Sequence, residues 1–271
     1  MTGLPLPEAL AESSGVAVSL NHPGLFWSHE DTGSTLFAID GDGSVVFRAR
    51  IEPGLRDWED ISVSMCGEGG SCLYLADLGD NSEERADGRI SIRRLPEPDP
   101  RSAALQPEPG GELPILTTEV FPVRLPDGPR DIEAMMVLPG ERIYLVTKGR
   151  NHPVTVYRYP PPLRSDTVTL EVVQELTEGP RIFLRQVSGG SASPLGSVLA
   201  VRTYQSLQFY RFDGDTLAAI EDGLVNLRTL REAQGEGIGI GLDGLVALTS
   251  EGGPAGGPAS MSLMRCDLEG L

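Results

Sequence analysis

The chain has 271 residues, 39 acidic against 22 basic side chains, a net charge of −17, 33 glycines and 22 prolines. The acidic surplus excludes nucleic acid as a partner, because phosphate recognition needs clustered Lys and Arg to release counterions; cations, sugars and neutral small molecules stay open. No run approaches the ~18 consecutive apolar residues of a membrane span, and Met1 to Leu10 lacks the basic and long apolar segments of an export signal, so a soluble monomer is expected, exported only through a signal lying outside this chain.

The glycines and prolines are scattered among short apolar runs, the mark of many tight turns between short strands, and one all-β domain over residues 1–271 suffices at this length. After an unassigned stretch, Leu4 to Leu10, a repeat begins. Its first copy is Glu12-Ser-Ser-Gly-Val-Ala-Val: a polar residue, a second polar residue two places on, then small and β-branched residues. An apolar strand ending in a polar cluster follows, Leu25-Phe-Trp-Ser-His-Glu-Asp, and predicted strands Thr35 to Ile39 and Val45 to Ile51 complete the unit. Asp40-Gly-Asp-Gly-Ser between the last two starts like an EF-hand loop, but Ile51 stands where a bidentate Glu belongs, so it reads as a hairpin turn.

The second unit comprises Asp57-Trp-Glu-Asp-Ile-Ser-Val, Leu73-Tyr-Leu-Ala-Asp-Leu-Gly-Asp-Asn, Arg89 to Arg93 and Thr117 to Arg124. Its Pro, Gly and Glu-rich insert, Pro96 to Pro114, reads as loop. Cys66 and Cys72 flank the turn in MCGEGGSC, where two thiols can face each other across a hairpin; a disulfide, which implies an oxidising compartment, and free thiols are both open. The third unit is Asp131-Ile-Glu-Ala-Met-Met-Val, Ile143-Tyr-Leu-Val-Thr-Lys-Gly, Thr155 to Tyr159 and Thr167 to Leu176. The fourth is Ser188-Gly-Gly-Ser-Ala-Ser, Val198-Leu-Ala-Val-Arg-Thr-Tyr, Leu207 to Phe212 and Leu224 to Leu230. The fifth, Gln234-Gly-Glu-Gly-Ile-Gly-Ile, Leu245-Val-Ala-Leu-Thr-Ser-Glu and Ser260 to Asp267, stops after three strands.

Units of four antiparallel strands repeated around a circle predict a β-propeller of five blades, with six as the alternative because the second repeat interval is long. Leu4 to Leu10 is expected to supply the missing outer strand and close the ring. The first strand of each blade then lines the axis, and the starts of these strands form two polar rings: Glu12, Asp57, Asp131, Ser188 and Gln234, then Ser14, Glu59, Glu133, Gly190 and Glu236.

Carboxylates crowded into one channel need a cation or shared protons to compensate them, and a calcium ion, which takes 6 to 8 oxygen ligands in flexible geometry, is the expected cofactor. Its candidate ligands are Glu12, Asp57, Glu59, Asp131, Glu133, Gln234 and Glu236. The second-strand ends add a rim on the same face. There His29, Asp31 and Asp77 are candidate catalytic groups, His29 being the one histidine the repeat brings near the funnel. Asp80, Asn81, Lys148, Arg202, Tyr204 and Glu251 are candidate ligand-binding groups, with the acid-poor fourth blade, beneath Arg202, as the open side.

Asp57-Trp-Glu-Asp-Ile, Leu73-Tyr-Leu-Ala-Asp-Leu-Gly-Asp-Asn, Asp131-Ile-Glu-Ala-Met, Val201-Arg-Thr-Tyr and Gln234-Gly-Glu-Gly-Ile together resemble the signatures of a group of bacterial propeller proteins, many of them exported. More distantly the pattern is similar to calcium-centred propellers of the phytase-like, gluconolactonase-like and paraoxonase-like kinds, typically six-bladed. That resemblance implies a central ion and hydrolysis of an ester, lactone or phosphoester, and a five-blade ring departs from it. A glycoside hydrolase using funnel carboxylates and a non-catalytic binding or scaffold propeller are the competing readings.

Overall fold

The computed structural model describes residues 3–67, 69–85, 89–107, 110–253 and 257–268. Five antiparallel sheets stand around one axis as the blades of a propeller. From the axis outward, blade 1 is Ser13–Val18, Leu25–Glu30, Thr35–Asp40 and Val45–Glu52; blade 2 is Asp60–Cys66, Gly70–Asp77, Ile90–Pro96 and Glu119–Arg124. Blade 3 is Ile132–Leu138, Arg142–Thr147, Thr155–Arg158 and Glu171–Glu175, and blade 4 is Val187–Ala192, Leu199–Thr203, Ser206–Asp213 and Thr216–Asn226. Blade 5 is Gln234–Ile240, Leu245–Glu251 and Ser260–Arg265, completed by the N-terminal strand Leu4–Pro5, which pairs antiparallel with Ser260 and Met261. The ring is therefore closed by the chain's beginning, as expected, although residues Glu8–Leu10 form a 3-10 turn that buries Leu10 instead of extending the strand.

The predicted outer strands of blades 2 to 4 are corrected. Ile115–Thr117 pairs in parallel with Arg50–Glu52 of blade 1, and Val168–Thr169 pairs in parallel with Val123 and Arg124 of blade 2. The run entering each of these outer strands thus lies first along the neighbouring blade, which ties adjacent blades together before its own blade is completed. In blade 4 the strand begins at Thr216, and Leu227–Leu230, predicted as strand, is a 3-10 turn.

The apolar core is divided into five wedges, each between neighbouring blades. Both tryptophans, Trp27 and Trp58, are fully buried in the wedge between blades 1 and 2. Five inner strands around one axis approach so closely that side chains must be small there: a Cβ on Gly237 would lie 2.6 Å from the Val16 nitrogen, and one on Gly189 would lie 2.6 Å from the Glu236 carbonyl. That crowding is the physical reason for the Gly and Ser in four copies of the repeat and for Ala134 in the third. Below the funnel the axis is spanned by Asp60 of blade 2, whose Oδ2 accepts hydrogen bonds from Met135 of blade 3 and Gly190 of blade 4 at 2.8 and 3.3 Å. Cys66 and Cys72 are joined as a disulfide across their hairpin, with Cα atoms 5.7 Å apart.

Candidate functional site

The polar ends of the first and second strands collect on one face of the ring, above Asp60. Simple alternation does not aim them. In four blades the pairing between first and second strands slips by one residue at the second polar position: at Ser14, Glu133, Ser188, and Glu236 with Gly237. A bulge of this kind kinks the strand and re-aims its side chain. In blade 2 the corresponding Glu59 precedes the strand altogether. The bulges also correct the alignment of blade 4, where Ser188 belongs to the deeper ring and Gln186 to the upper one. Ser14 and Ser188 behave alike, each hydroxyl donating to a carbonyl of the next blade, Glu59 O at 3.2 Å and Gly235 O at 2.8 Å.

The centre of the site is two overlapping carboxylate triads. Oxygens of Asp31, Asp57 and Glu59 lie within 4.8 Å of one another, and so do oxygens of Glu59, Asp131 and Glu133. Glu59, Asp131 and Glu133 are buried, whereas Asp31 and Asp57 are half-buried. Lys148, the chain's only lysine, donates directly to Glu133 and lies 3.5 Å from Asp131 Oδ2. On the blade 5 side Gln234 bridges two more acids, donating to Glu236 at 2.7 Å and Glu251 at 2.9 Å. Glu12 is exposed at the mouth. Every acid of the metal-ligand set except Glu12 therefore reaches or borders one pit.

Burial dominates the electrostatics. It pushes the Glu59 carboxyl well above its ordinary value, with Glu133 and Asp131 adding like-charge repulsion, and pushes Glu236 well above as well. Glu133 rises to about 8, burial outweighing the opposing attraction of Lys148. Asp57 rises to about 6 and Glu251 to about 7, burial again being the larger cause, and Asp31 is raised too. Lys148 is pulled down by burial but held above its ordinary value by Glu133 and Asp131, so it is a permanent cation. Glu59 Oε1 is buried, packs against Gly79, and has no hydrogen-bond partner among the described residues; Asp131 Oδ2 has no hydrogen bond there either, only its ion pairs.

The remaining predicted residues brace the pit instead of lining it. Asp77 accepts from Arg93 at 2.8 Å and from the backbone amides of Arg56 and Asp57 at 3.1 and 3.2 Å, fixing the turn that presents Asp57. Asp80 accepts from the amides of Glu84 and Arg85, both at 2.9 Å, and its own amide donates to Asp131 Oδ1 at 2.9 Å. Asn81 is held through its side-chain oxygen by Arg150 at 2.7 Å.

His29 is fully buried, stacked on Trp58 with ring centroids 4.0 Å apart, and its Nδ1 lies 3.0 Å from the Glu30 carbonyl. Burial pushes its pKa down to about 3, and the ring edge packs against Gly15, so it is not an accessible base. Arg202, expected over the open side, is buried between blades 4 and 5, donating to Gly237 O at 2.6 Å, Thr249 O at 2.9 Å and Glu232 at 2.5 Å.

Sequence reasoning passed over three residues. Asp60 stands inside the quoted motif, and its rank as the first strand residue was the signal. Gln186 escaped because blade 4 carries no acid at either ring position and its copy was read from Ser188, two residues too late; its buried Oε1 has no partner among the described residues. Phe183 lies in the connection between blades 3 and 4, is 56% exposed, and stacks on Tyr204 with centroids 4.6 Å apart. Burial first, and then the Glu236 charge, push the Tyr204 hydroxyl up. Phe183, Leu184, Tyr204, Gln205 and Arg231 border a cavity of about 200 Å³ beside Gln234.

No protein-family model and no curated protein sequence matches the chain. Solved structures do. The PQQ-bound aldose sugar dehydrogenase of Streptomyces coelicolor matches at 10% identity over 98% of this chain and 96% of that one, with a TM-score of 0.52. A gluconolactonase of Xanthomonas campestris matches at 14% identity, over 94% and 73%, with a TM-score of 0.47, and the virginiamycin B lyase of Staphylococcus aureus at 12%, over 98% and 74%, with 0.45. At such identities the likeness is one of fold alone, and of these three structures only the sugar dehydrogenase matches with a TM-score above 0.5.

Proposed function

We propose that the funnel binds one divalent cation, calcium by preference, together with a small oxygen-rich ligand, and that the chemistry it serves is hydrolysis of an ester, lactone or phosphoester. The observation that carries this reading is Glu59, a buried carboxylate common to both triads, with one oxygen unpartnered among the described residues. The donor set is all oxygen, with His29 turned away, which fits a hard ion and not zinc. Asp31, Asp57 and Glu59 would hold the ion, and a bound divalent ion supplies Lewis-acid polarisation of a carbonyl or phosphoryl oxygen.

The chain's own groups complete the site. Asp80 and Asp77 fix the two carboxylates they support, Asp60 closes the axis beneath so that the pit is a cup, and Glu251, at about 7, is able to accept a proton near neutral pH. The ligand enters over blade 4, where Ser188 takes the place of an acid and Tyr204 with Phe183 forms an aromatic shelf. A glycoside hydrolase is less well supported: the triad oxygens are crowded within 4.8 Å, where roughly 5 to 9.5 Å is needed between the two acting carboxyls, and Trp58 is buried and unavailable as a sugar platform.

The test is calorimetry and terbium luminescence on calcium-stripped protein. One ion per chain is expected for the wild type, and at least tenfold weaker binding for Glu59→Gln, which keeps shape and removes the shared charge. Absence of any binding at millimolar calcium, or an unchanged affinity in E59Q, refutes the cation reading. Turnover of p-nitrophenyl acetate, dihydrocoumarin and p-nitrophenyl phosphate, each with and without chelator, tests the hydrolytic part separately.

A further inference from the structure

The two triads share Glu59 but differ in what neutralises them. Glu59, Asp131 and Glu133 have a protein cation among them: the Lys148 ammonium contacts Glu133 directly and lies 3.5 Å from Asp131. Lys148 is itself 7% exposed, so its charge is spent on these acids and not on solvent. In the other triad, neither Asp31 nor Glu59 has an ion pair among the described residues, and Asp57 has only Arg85 at 3.6 Å, which is drawn equally to Asp77 at 3.5 Å. One half of a continuous carboxylate cluster thus holds a cation in direct contact, and the other half has only the longer, shared Arg85 pair.

We infer that Lys148 is a resident cation filling the second position of what is otherwise a two-ion site, so that the funnel takes a single metal ion, at Asp31, Asp57 and Glu59, beside a fixed ammonium. Two-metal sites hold their cations roughly 3.5–4 Å apart, and Glu59 is the carboxylate common to both triads. An ammonium is monovalent and donates three hydrogen bonds, so it neutralises without demanding the coordination number of a metal. The ligand this arrangement suits is one whose anionic or developing oxyanion oxygen is shared between the ion and the Lys148 ammonium: a carboxylate, a phosphate or the tetrahedral intermediate of an ester.

The inference rests on the cation reading above, and ion counting separates their failures. Bound terbium and calcium are counted by native mass spectrometry and calorimetry in wild type, Lys148→Met and Lys148→Arg. Methionine keeps the apolar stem and removes the charge; arginine keeps the charge. One ion in wild type and K148R with two in K148M is the expected result. One ion in all three, or two in the wild type or in K148R, overturns the inference while leaving cation binding intact. No ion in wild type but one in K148M supports the resident lysine and defeats the functional reading, and no ion in any protein defeats both. Near-UV circular dichroism reports whether K148M is folded. Should it not be, the double variant Lys148→Met with Glu133→Gln removes the pair together; retention of one ion is then expected, and its loss overturns the assignment of that ion to Asp31, Asp57 and Glu59.

Discussion

Raising the pH of the metal-free protein is expected to destabilise it, against the usual behaviour of a carboxylate-rich chain. Glu133 sits at about 8 in the folded state because of burial, far above the roughly 4.3 of an unfolded glutamate. A group with a raised folded value contributes least to stability when it must ionise inside: between those two values the native state holds a proton the unfolded state has released, so stability falls as pH rises. His29 works in the opposite direction. Its value of about 3 makes its contribution complete above the unfolded ~6.5 and progressively lost below it, which leaves pH 6.5 to 8 as the window in which the acids act alone.

Over that window one extra native proton is worth about 1.4 kcal/mol per pH unit, or about 2 kcal/mol in all. At about 2 °C per kcal/mol for a chain of this size, the melting temperature should drop by about 4 °C. Glu59 and Glu236, also raised, deepen the fall. Saturating calcium should abolish the trend, since metal binding needs the ionised carboxylates and strengthens as they lose protons. The assay is calorimetric melting in chelator and in 5 mM calcium, about 50-fold above the ~0.1 mM dissociation constant of the tighter extracellular-type sites. A metal-free melting temperature that is flat or rises from pH 6.5 to 8, or a calcium shift of equal size at both ends, refutes the reasoning.

Two substitutions test the frame of the site. Gly237→Ala pushes a methyl to within 2.6 Å of the Val16 nitrogen on the adjacent inner strand, and should cost at least about 2 kcal/mol, read as a fall in the urea midpoint at constant slope. Arg202→Met leaves two carbonyls and Glu232 without their buried donor and should cost about 3 to 5 kcal/mol, of which Arg202→Met with Glu232→Gln recovers part; a loss of ion or ligand affinity without a loss of stability would instead return Arg202 to the binding surface.

The ring was legible because each blade repeats the same physical problem. A crowded axis forces small residues onto every first strand, and the strand behind it is apolar on both faces, as in Leu73 to Ala76 and Ile143 to Val146, because the wedges between blades cover it. Even the closing strand showed itself, as an unassigned apolar stretch before the first repeat and a missing strand in the last. Strand ends were less legible. Ile115–Thr117 and Val168–Thr169 have ordinary strand composition, and which sheet they join is decided by the path of the loop, which no local pattern records.

The acids of the pit were found by counting along the repeat, and the count failed in blade 4, which has no acid to anchor it. Blade 4 has no acid at either ring position, so its copy was read from Ser188 onward, Gln186 was passed over and Ser188 was set one ring too high. Charge sign was read correctly for Lys148 and Arg202, but their fates differ for a reason that lies in the partners. Lys148 follows a strand beside Asp131 and Glu133 in its own blade, whereas Arg202 lies one residue before its strand ends and meets the carbonyls of Gly237 and Thr249 in the next. Arg202 therefore cements two blades, and Lys148 faces the acids. A chain that uses arginine at every other basic position places its single ammonium inside the carboxylate cluster, where a compact charge with three freely rotating donors fits between oxygens that a planar guanidinium would span. Exchanging the two types at position 148 is for that reason the sharpest probe of the pit: K148R preserves the charge and the ion count, but the larger planar head should weaken whatever ligand oxygen shares the ammonium.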